Sequence, residues 1–531
     1  MKLLSKLFLA ILPLLLILEG VLLYQMNGHF YLRNADPEYH YLLNSLQLAN
    51  GHINLNTDHP GTPLQVFMAL INRIVFLFRD EQSLSLDVIT HPELYLKIDL
   101  FAALLTVAGL LYLTGLIGLR FVKQLPLALF FQFGPFLSVS LLCMTERIMP
   151  ETVFLGIVPL FFAVLLHHEH TIHSSNNKPF SYWLLILAAV CTSLKFNFLP
   201  FAILPILLQP SWRTKFRTLA VFILAFVLIS FPLFVRMGAF SSWISGILMH
   251  SGRHGSGEAT IFDTGVMMSN FADIWQRAPW LYVVPACSLI IIAINKLTGF
   301  AKTDIERRKI RLLSLITAML LFQLVLIAKH YAPHYLVPAQ LCIPFMIYLS
   351  LEMIPWNKQM FQKVLLAVLS LIGLLFIFND DGLHILPEQH QWRREAAAEK
   401  NAFISDLSNL NQQHCIILSS DDWTVRPEYA LWFGKIMTPD NGRFNQAFIH
   451  KYPMVYFHKE GTGLFFDWQG NTLTASELAE QSHTARVISR RYSNENVSEL
   501  MNALLQPPSA RLDSVLENPK LHLCVWNWEI P

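Results

Sequence analysis

Residues 101–119 read FAALLTVAGLLYLTGLIGL, nineteen positions without a charge, closed by Arg120. A helix of about 20 apolar residues, rising 1.5 Å each, reaches across the roughly 30 Å hydrocarbon core of a bilayer. Similar runs recur through residues 1–380. Of the 531 residues, 53% are hydrophobic and only 14% are charged, and Phe alone occurs 39 times. A soluble domain carries about 25% charged residues. This composition excludes a soluble enzyme, a disordered scaffold and a disulfide-stapled secreted module. The chain reads as a polytopic membrane protein.

Working outward from that run, eleven spans are expected, near 7–24, 97–120, 125–142, 152–167, 181–194, 197–209, 218–235, 279–295, 312–328, 335–351 and 363–378. Several are short and are expected to be tilted or to border polar cavities. Lys2 and Lys6 precede the first run as in a signal peptide, but no small-x-small cleavage site follows. The first run is therefore expected to stay as an uncleaved helix. With eleven spans, Lys2/Lys6, Arg120/Lys123, Lys178, Arg213/Lys215/Arg217, the Lys302–Arg311 cluster and Lys358/Lys363 share one side. The positive-inside rule makes it cytoplasmic. Loop 25–96, loop 236–278 and everything after 379 then lie outside. The stretch Leu64–Phe78, interrupted by Asn72 and Arg73, fits an interfacial helix on that outer surface. No internal repeat is evident.

The net charge of +2 gives no basic field for nucleic acid, and six scattered Cys without a CxxC pair give no zinc or disulfide framework. After residue 380 the character changes. Glu388–Leu410 is charged and helix-like, and short β-rich runs follow at Cys415–Leu418, Met454–Phe457, Ala485–Ser489 and Leu521–Trp528. The expected organisation is a transmembrane domain over 1–380 and a small extracytoplasmic α/β domain over 381–531. Cys415 and Cys524 fall in two of these strands, and buried free thiols are favoured over a bridge.

Polar chemistry gathers near the outer span ends. The first outer loop carries Asp36-Pro37-Glu38-Tyr39, then Asp58-His59-Pro60-Gly61-Thr62-Pro63. Asp36 before Pro37 suits a helix N-cap with proline as the first helical residue, and the His59 turn suits plain punctuation. Lys195 sits inside an apolar region, where a charge is costly and usually functional; snorkelling to the interface is the other reading. Lys329-His330-Tyr331-Ala332-Pro333-His334-Tyr335 groups a cation, two imidazoles and phenols suited to a phosphate, or to interfacial anchoring. Glu146 either pairs with Arg147 or, with Glu151, faces a cavity. Loop 249–263, with Arg253 and several Gly, is either a lid or a slack connector. His167-His168-Glu169-His170 with His173 has metal-like spacing but reads as a polar cap at a span end.

An acidic residue followed by a Tyr, an amphipathic helix, a His-Pro turn, an interfacial helix and a long second span together make a layout. It resembles the GT-C class of membrane glycosyltransferases, in particular the bacterial branch related to protein O-mannosyltransferases and lipid A aminoarabinose transferases. The resemblance covers residues 7–350 and, more weakly, the C-terminal domain. It implies a polyprenyl-phosphate sugar donor, a glycan, lipid or protein acceptor, and a catalytic acid in the first outer loop, at Asp36. Mannosyltransferases carry an adjacent Asp-Glu pair, whereas here Pro37 separates Asp36 from Glu38, leaving open which is the base. The resemblance also implies donor contacts around Lys329, His330, His334 and Tyr335. Lys195, His59, Glu146 and Arg253 complete the expected site.

The chemistry is self-consistent. The acceptor hydroxyl must lose a proton to a carboxylate, while the leaving phosphate is already a stable anion. One base and a cationic clamp therefore suffice, unlike the paired acids of glycosidases. A divalent metal ion acting through Asp36 stays open, since no ligand set stands out. The expected location is the cytoplasmic (inner) membrane, among its lipids. The rivals are a transporter of lipid-linked sugars and a non-catalytic protein that binds them.

Overall fold

The computed structural model describes residues 3–33, 36–56, 61–171, 182–250, 258–261, 263–299, 301, 303–354, 360, 364, 385–409, 415–418, 426–459, 461–490, 495–507, 509–518 and 522–529. The protein is mostly helical, with a small sheet near its C-terminus. It divides into two compact units. One holds residues 1–23, 57–64 and 100–388; the other holds 24–56, 65–99 and 389–531.

Among the described residues six helices are long and apolar enough to cross a membrane. They are Leu4–Asn27, Pro92–Val122, Pro150–His170, Trp280–Thr298, Asp304–Lys329 and Pro333–Glu352. The expected eleven spans are corrected to these six candidates among the described residues, and the reason is local. The run 125–142 breaks into Leu125–Gln132, the 3-10 turn Gly134–Phe136 and Val139–Leu142. Pro135 offers no N–H for a continuous ladder. The run 197–209 breaks likewise at Pro200 and Pro205, into Phe196–Phe198, Leu199–Ala202 and Leu204–Leu207. Tyr182–Leu194 has 13 residues, about 20 Å. Trp212–Ile229 stops at Ser230, short of Pro232. The expected run 363–378 lies outside the described residues.

In the first unit, contacts fall into two groups at opposite ends of the helices. At one end, the Phe121 ring meets His167, His170 and Tyr348, each 6.2 Å away. Arg311 donates to Leu207 O, Arg217 to Tyr182 Oη, and Asn295 to Met353 O. At the other end, Ser230 bonds Ser193, Asn270 donates to Ala328 O, and Lys195 meets Glu151. Between the ends the packing is aromatic: Phe131 stacks on Phe345 at 4.9 Å, and Phe161 meets Phe198 edge-on at 5.2 Å. Lipid tails are as apolar as these rings, so close fit rather than escape from water holds such helices together. Gly156 shows how close: a Cβ there would stand 2.7 Å from Val107 O.

The second unit carries a seven-stranded sheet in the order β4-β3-β2-β1-β5-β7-β6. The strands are β1 (Cys415–Leu418), β2 (Val455–Lys459), β3 (Leu464–Phe466), β4 (Thr472–Leu473), β5 (Thr484–Arg490), β6 (Arg511–Asn518) and β7 (Leu523–Glu529). β2, β1 and β5 are parallel, and the other pairings are antiparallel. Ile417, Tyr456, Phe465, Val487 and Trp528 form a core with Leu478, Leu500 and Leu504 from the helices Ala475–Gln481 and Glu495–Leu504. The four expected strands appear as β1, β2, β5 and β7, while β3, β4 and β6 were not expected. Cys415 and Cys524 are free thiols. β5 lies between their strands, a separation of about 9–10 Å that no disulfide spans.

Loop segment 38–56 folds into this same unit. Helix Pro427–Ile436 crosses Glu38–Ala49 so closely that a Cβ on Gly434 would lie 2.6 Å from Tyr39 O. Asn44 donates to Thr438 Oγ1 at 3.1 Å, and Gln47 and Asn54 both donate to Pro439 O at 3.1 and 3.0 Å.

Candidate functional site

Three chain segments bring charge together at one end of the first unit. Glu151 stands in the first turn of the helix Pro150–Thr171. Lys195 is extended, φ −160°, between the helix Tyr182–Leu194 and the turn Phe196–Phe198. His334 and Tyr335 lie in the 3-10 turn Pro333–Leu336 that opens the span to Glu352. The Lys195 ammonium bonds Glu151 Oε1, and His334 Nε2 lies 3.9 Å from that same oxygen. The Lys195 ammonium also sits 4.5 Å from the centre of the Tyr335 ring, a cation–π contact. Asn197 ties the turns together by donating to Tyr335 O at 3.0 Å, and Gln323 donates to Asn197 O at 2.7 Å.

The group is dry. Glu151 is fully buried and Lys195 is 5% exposed. Glu151 Oε2 has no hydrogen-bond partner, which is unusual for a buried carboxylate, since such an orphan costs roughly 1–3 kcal/mol or more. An ammonium has three N–H donors, and Glu151 takes one of Lys195's. The group therefore holds a cation with spare donors, an acceptor with a spare oxygen and an imidazole.

Lys329 and His330 point elsewhere. Lys329 Nζ donates to Ile247 O at 2.9 Å and to Leu248 O, and His330 Nε2 donates to Ile247 O at 2.7 Å. They satisfy the last carbonyls of the helix Met237–Met249, the usual place for a cation at a helix C-terminus. Glu146 is buried in the 3-10 turn Cys143–Glu146. His59 and Arg253 lie outside the described residues. Gly61, two positions after His59, donates its N–H to Leu194 O at 3.2 Å, next to Lys195.

The first-loop carboxylates belong to the second unit. The helix begins at Glu38 with Pro37 in the cap position, so the expectation of Asp36 as N-cap and Pro37 as first helical residue is corrected. Asp36 is exposed, whereas Glu38 is only 1% exposed. Both flanks of Asp36 are held by one carboxylate. Glu93 accepts from Phe30 N at 2.7 Å, Tyr31 N at 3.1 Å and Tyr39 Oη at 2.8 Å. It also holds His29 at 3.3 Å, and that hydrogen bond raises the His29 pKa. Burial, with Glu93 adding to it, pushes the Tyr31 phenol up to about 12.

Glu93 was not expected as a site residue, and nothing local marks it, because its partners lie some 60 residues away in sequence. Asp99 was missed too. It is fully buried in the Pro92–Val122 helix, and neither carboxylate oxygen has a hydrogen-bond partner. Its signal was legible, a carboxylate two residues before the apolar run at 101. Glu81, Asp87 and His91 lie close enough to share a metal ion. Arg79 takes both Asp87 oxygens at 3.0–3.2 Å and Tyr95 Oη a further bond at 2.5 Å, so an ion-pair network fills that place. Burial opposes the Asp87 charge, but these bonds hold its pKa below the usual carboxylate value.

No family model, curated protein or solved structure matches the chain. Its function is therefore argued from the site alone.

Proposed function

We propose that this chain transfers a sugar, with inversion, from a polyprenyl-phosphate carrier to an envelope acceptor on the outer side of the cytoplasmic membrane. The observation that carries the reading is the buried Lys195–Glu151 pair at the ends of membrane helices, with the half-buried His334 beside it and one carboxylate oxygen unsatisfied. Ionisable groups at such depth are costly and mark substrate sites. In the reaction the acceptor oxygen bonds the anomeric carbon, the bond from that carbon to the phosphate oxygen breaks, and the acceptor proton passes to a carboxylate. Lys195 and His334 are the proposed contacts for the departing phosphate, and the base is the first-loop carboxylate that the resemblance implies, Asp36. Asp36 suits the role because it is exposed and stands outside the helix cap. Lys329 and His330 are assigned to capping rather than to the donor.

A transporter of lipid-linked sugars is the second reading, favoured by one observation. Asp99 is a buried carboxylate in the outer third of a spanning helix, just before its apolar run, with no hydrogen-bond partner for either oxygen. Reconstituted vesicles carrying a labelled polyprenyl-phosphate sugar separate the two readings, since transfer moves label to an acceptor and transport moves intact donor across the bilayer. Asp36→Asn is expected to lose about 10²–10⁴-fold in transfer rate with little change in membrane level. Glu38→Gln is the companion, and loss there alone would move the base two residues along. Full transfer in both variants would end the mechanism proposed.

A further inference from the structure

A second polar site lies at the opposite end of the first unit, away from Lys195. The helix ends carrying Phe121, Glu169 and Tyr348 meet the start of Asp304–Lys329 around a shallow, half-open recess of about 40 Å³. It is lined by the buried Phe121, Leu312 and Tyr348 and by the more accessible Arg308, Lys309 and Glu169. The metal-like His167–His170 run ends in this recess, and among the described residues it forms no group able to hold a metal ion.

The charges are mixed. Lys309 is bonded to Glu352 at 2.5 Å. Arg311 is bonded to Leu207 O at 2.7 Å. Arg308 is exposed, and Glu169 is within electrostatic reach of Arg308 and Arg311. With Lys309 paired to Glu352, the recess offers the Arg308 guanidinium beside the Glu169 carboxylate, over apolar residues at the level where spans end. Basic pockets between spans at that depth take lipid headgroups.

We infer that this recess holds a membrane lipid with a phosphoethanolamine headgroup. Arg308 takes the phosphodiester, Glu169 takes the primary ammonium, and the acyl-linked glycerol lies along Phe121 and Leu312, while Lys309 stays paired with Glu352. Arg is well suited to the phosphate because its planar fork binds two oxygens at once. A purely anionic headgroup would set a second negative charge against Glu169. A choline headgroup has no N–H to donate to it. A phosphoethanolamine matches the two charges left beside the Lys309–Glu352 pair, the Arg308 guanidinium and the Glu169 carboxylate.

The test is native mass spectrometry of the full-length chain in detergent, titrated with dioleoyl lipids bearing ethanolamine, choline or glycerol headgroups. The ethanolamine lipid is expected to bind about tenfold tighter than the other two, the worth of one charge-assisted hydrogen bond. Glu169→Gln should erase that preference and Glu169→Asp should keep it, so loss in both would mark misfolding, which size-exclusion behaviour checks. Arg308→Ala should weaken all three lipids together. Equal binding of the three lipids by the natural chain, or a preference that survives Glu169→Gln, overturns the assignment. Displacement of the lipid by equimolar soluble phosphoethanolamine would show that the apolar wall contributes nothing, and that also overturns it.

Discussion

The Lys195–Glu151 pair is where single side chains decide between structure and function. A buried ion pair is weak evidence for stability, because desolvating two charges costs about as much as their attraction returns. Removing one partner is different, since it leaves an uncompensated buried charge and costs roughly 3–5 kcal/mol. Lys195→Met and Glu151→Gln are each expected to lower thermal stability in detergent by that order. The double variant removes both charges and should recover most of the loss. If the pair only holds helices together, sugar transfer recovers with it. If Lys195 steadies the leaving phosphate, the double variant folds and stays inactive. Recovered transfer in the double variant would therefore remove Lys195 from the site. Lys195 was legible in the sequence because a charge inside an apolar stretch stands out. Its link to His334 was not, since 139 positions separate them and only the turn at Pro333 brings the imidazole to Glu151.

At the scale of elements, the helix Pro427–Ile436 against Glu38–Ala49 shows what patterning conceals. Asn44 and Gln47 on the helix, and Asn54 just after it, each bond the turn at Thr438 and Pro439. The contact needs Gly434. An alanine there gains about 1 kcal/mol of helix propensity over glycine. Its Cβ, however, would come within 2.6 Å of Tyr39 O and 3.0 Å of Tyr39 C, both backbone atoms that cannot rotate away. Overpacking of this kind costs about 1–3 kcal/mol, so Gly434→Ala is expected to lower the melting temperature, while Gly238→Ala, a helical site with open space, is the control. An unchanged melt for Gly434→Ala would mean the two helices are not in contact. The strands β1, β2, β5 and β7 were legible because their apolar runs are short and sit between turns. β6 was not, because as an edge strand it leaves most of its residues exposed or half exposed, with no alternation to read.

For the whole molecule, the question is how often the chain crosses. Six helices qualify by length and hydropathy, and counting only those would leave residues 171–280 on one side. The contacts argue for more crossings. Phe121 and His170 meet at one end although each closes its own helix, so the broken segment between Val122 and Pro150 must return to the other end. Leu194 ends beside Glu151, Leu207 lies against Arg311, and Ser230 returns to Ser193. The segments 182–194, 196–207 and 212–229 thus run back and forth between the same two ends. Broken, proline-interrupted backbone is tolerated in a membrane where it is buried in protein, and Phe198, Phe201 and Leu204 are fully buried. A reporter active only outside the cytoplasm, fused at successive positions, reads this directly. Fusions after Lys215 and Arg308 should be inactive, since both follow basic residues. A fusion after Asn197 should be active and one after Gln209 inactive. Equal activity at those two sites would return the chain to six crossings. The same series decides the last crossing, for a fusion after Glu352 should be inactive and one after Pro531 active if residues 363–378 span. An inactive terminal fusion would put the β-sheet unit on the cytoplasmic side, with Asp36 in that same unit, and the donor reaction could not take place outside.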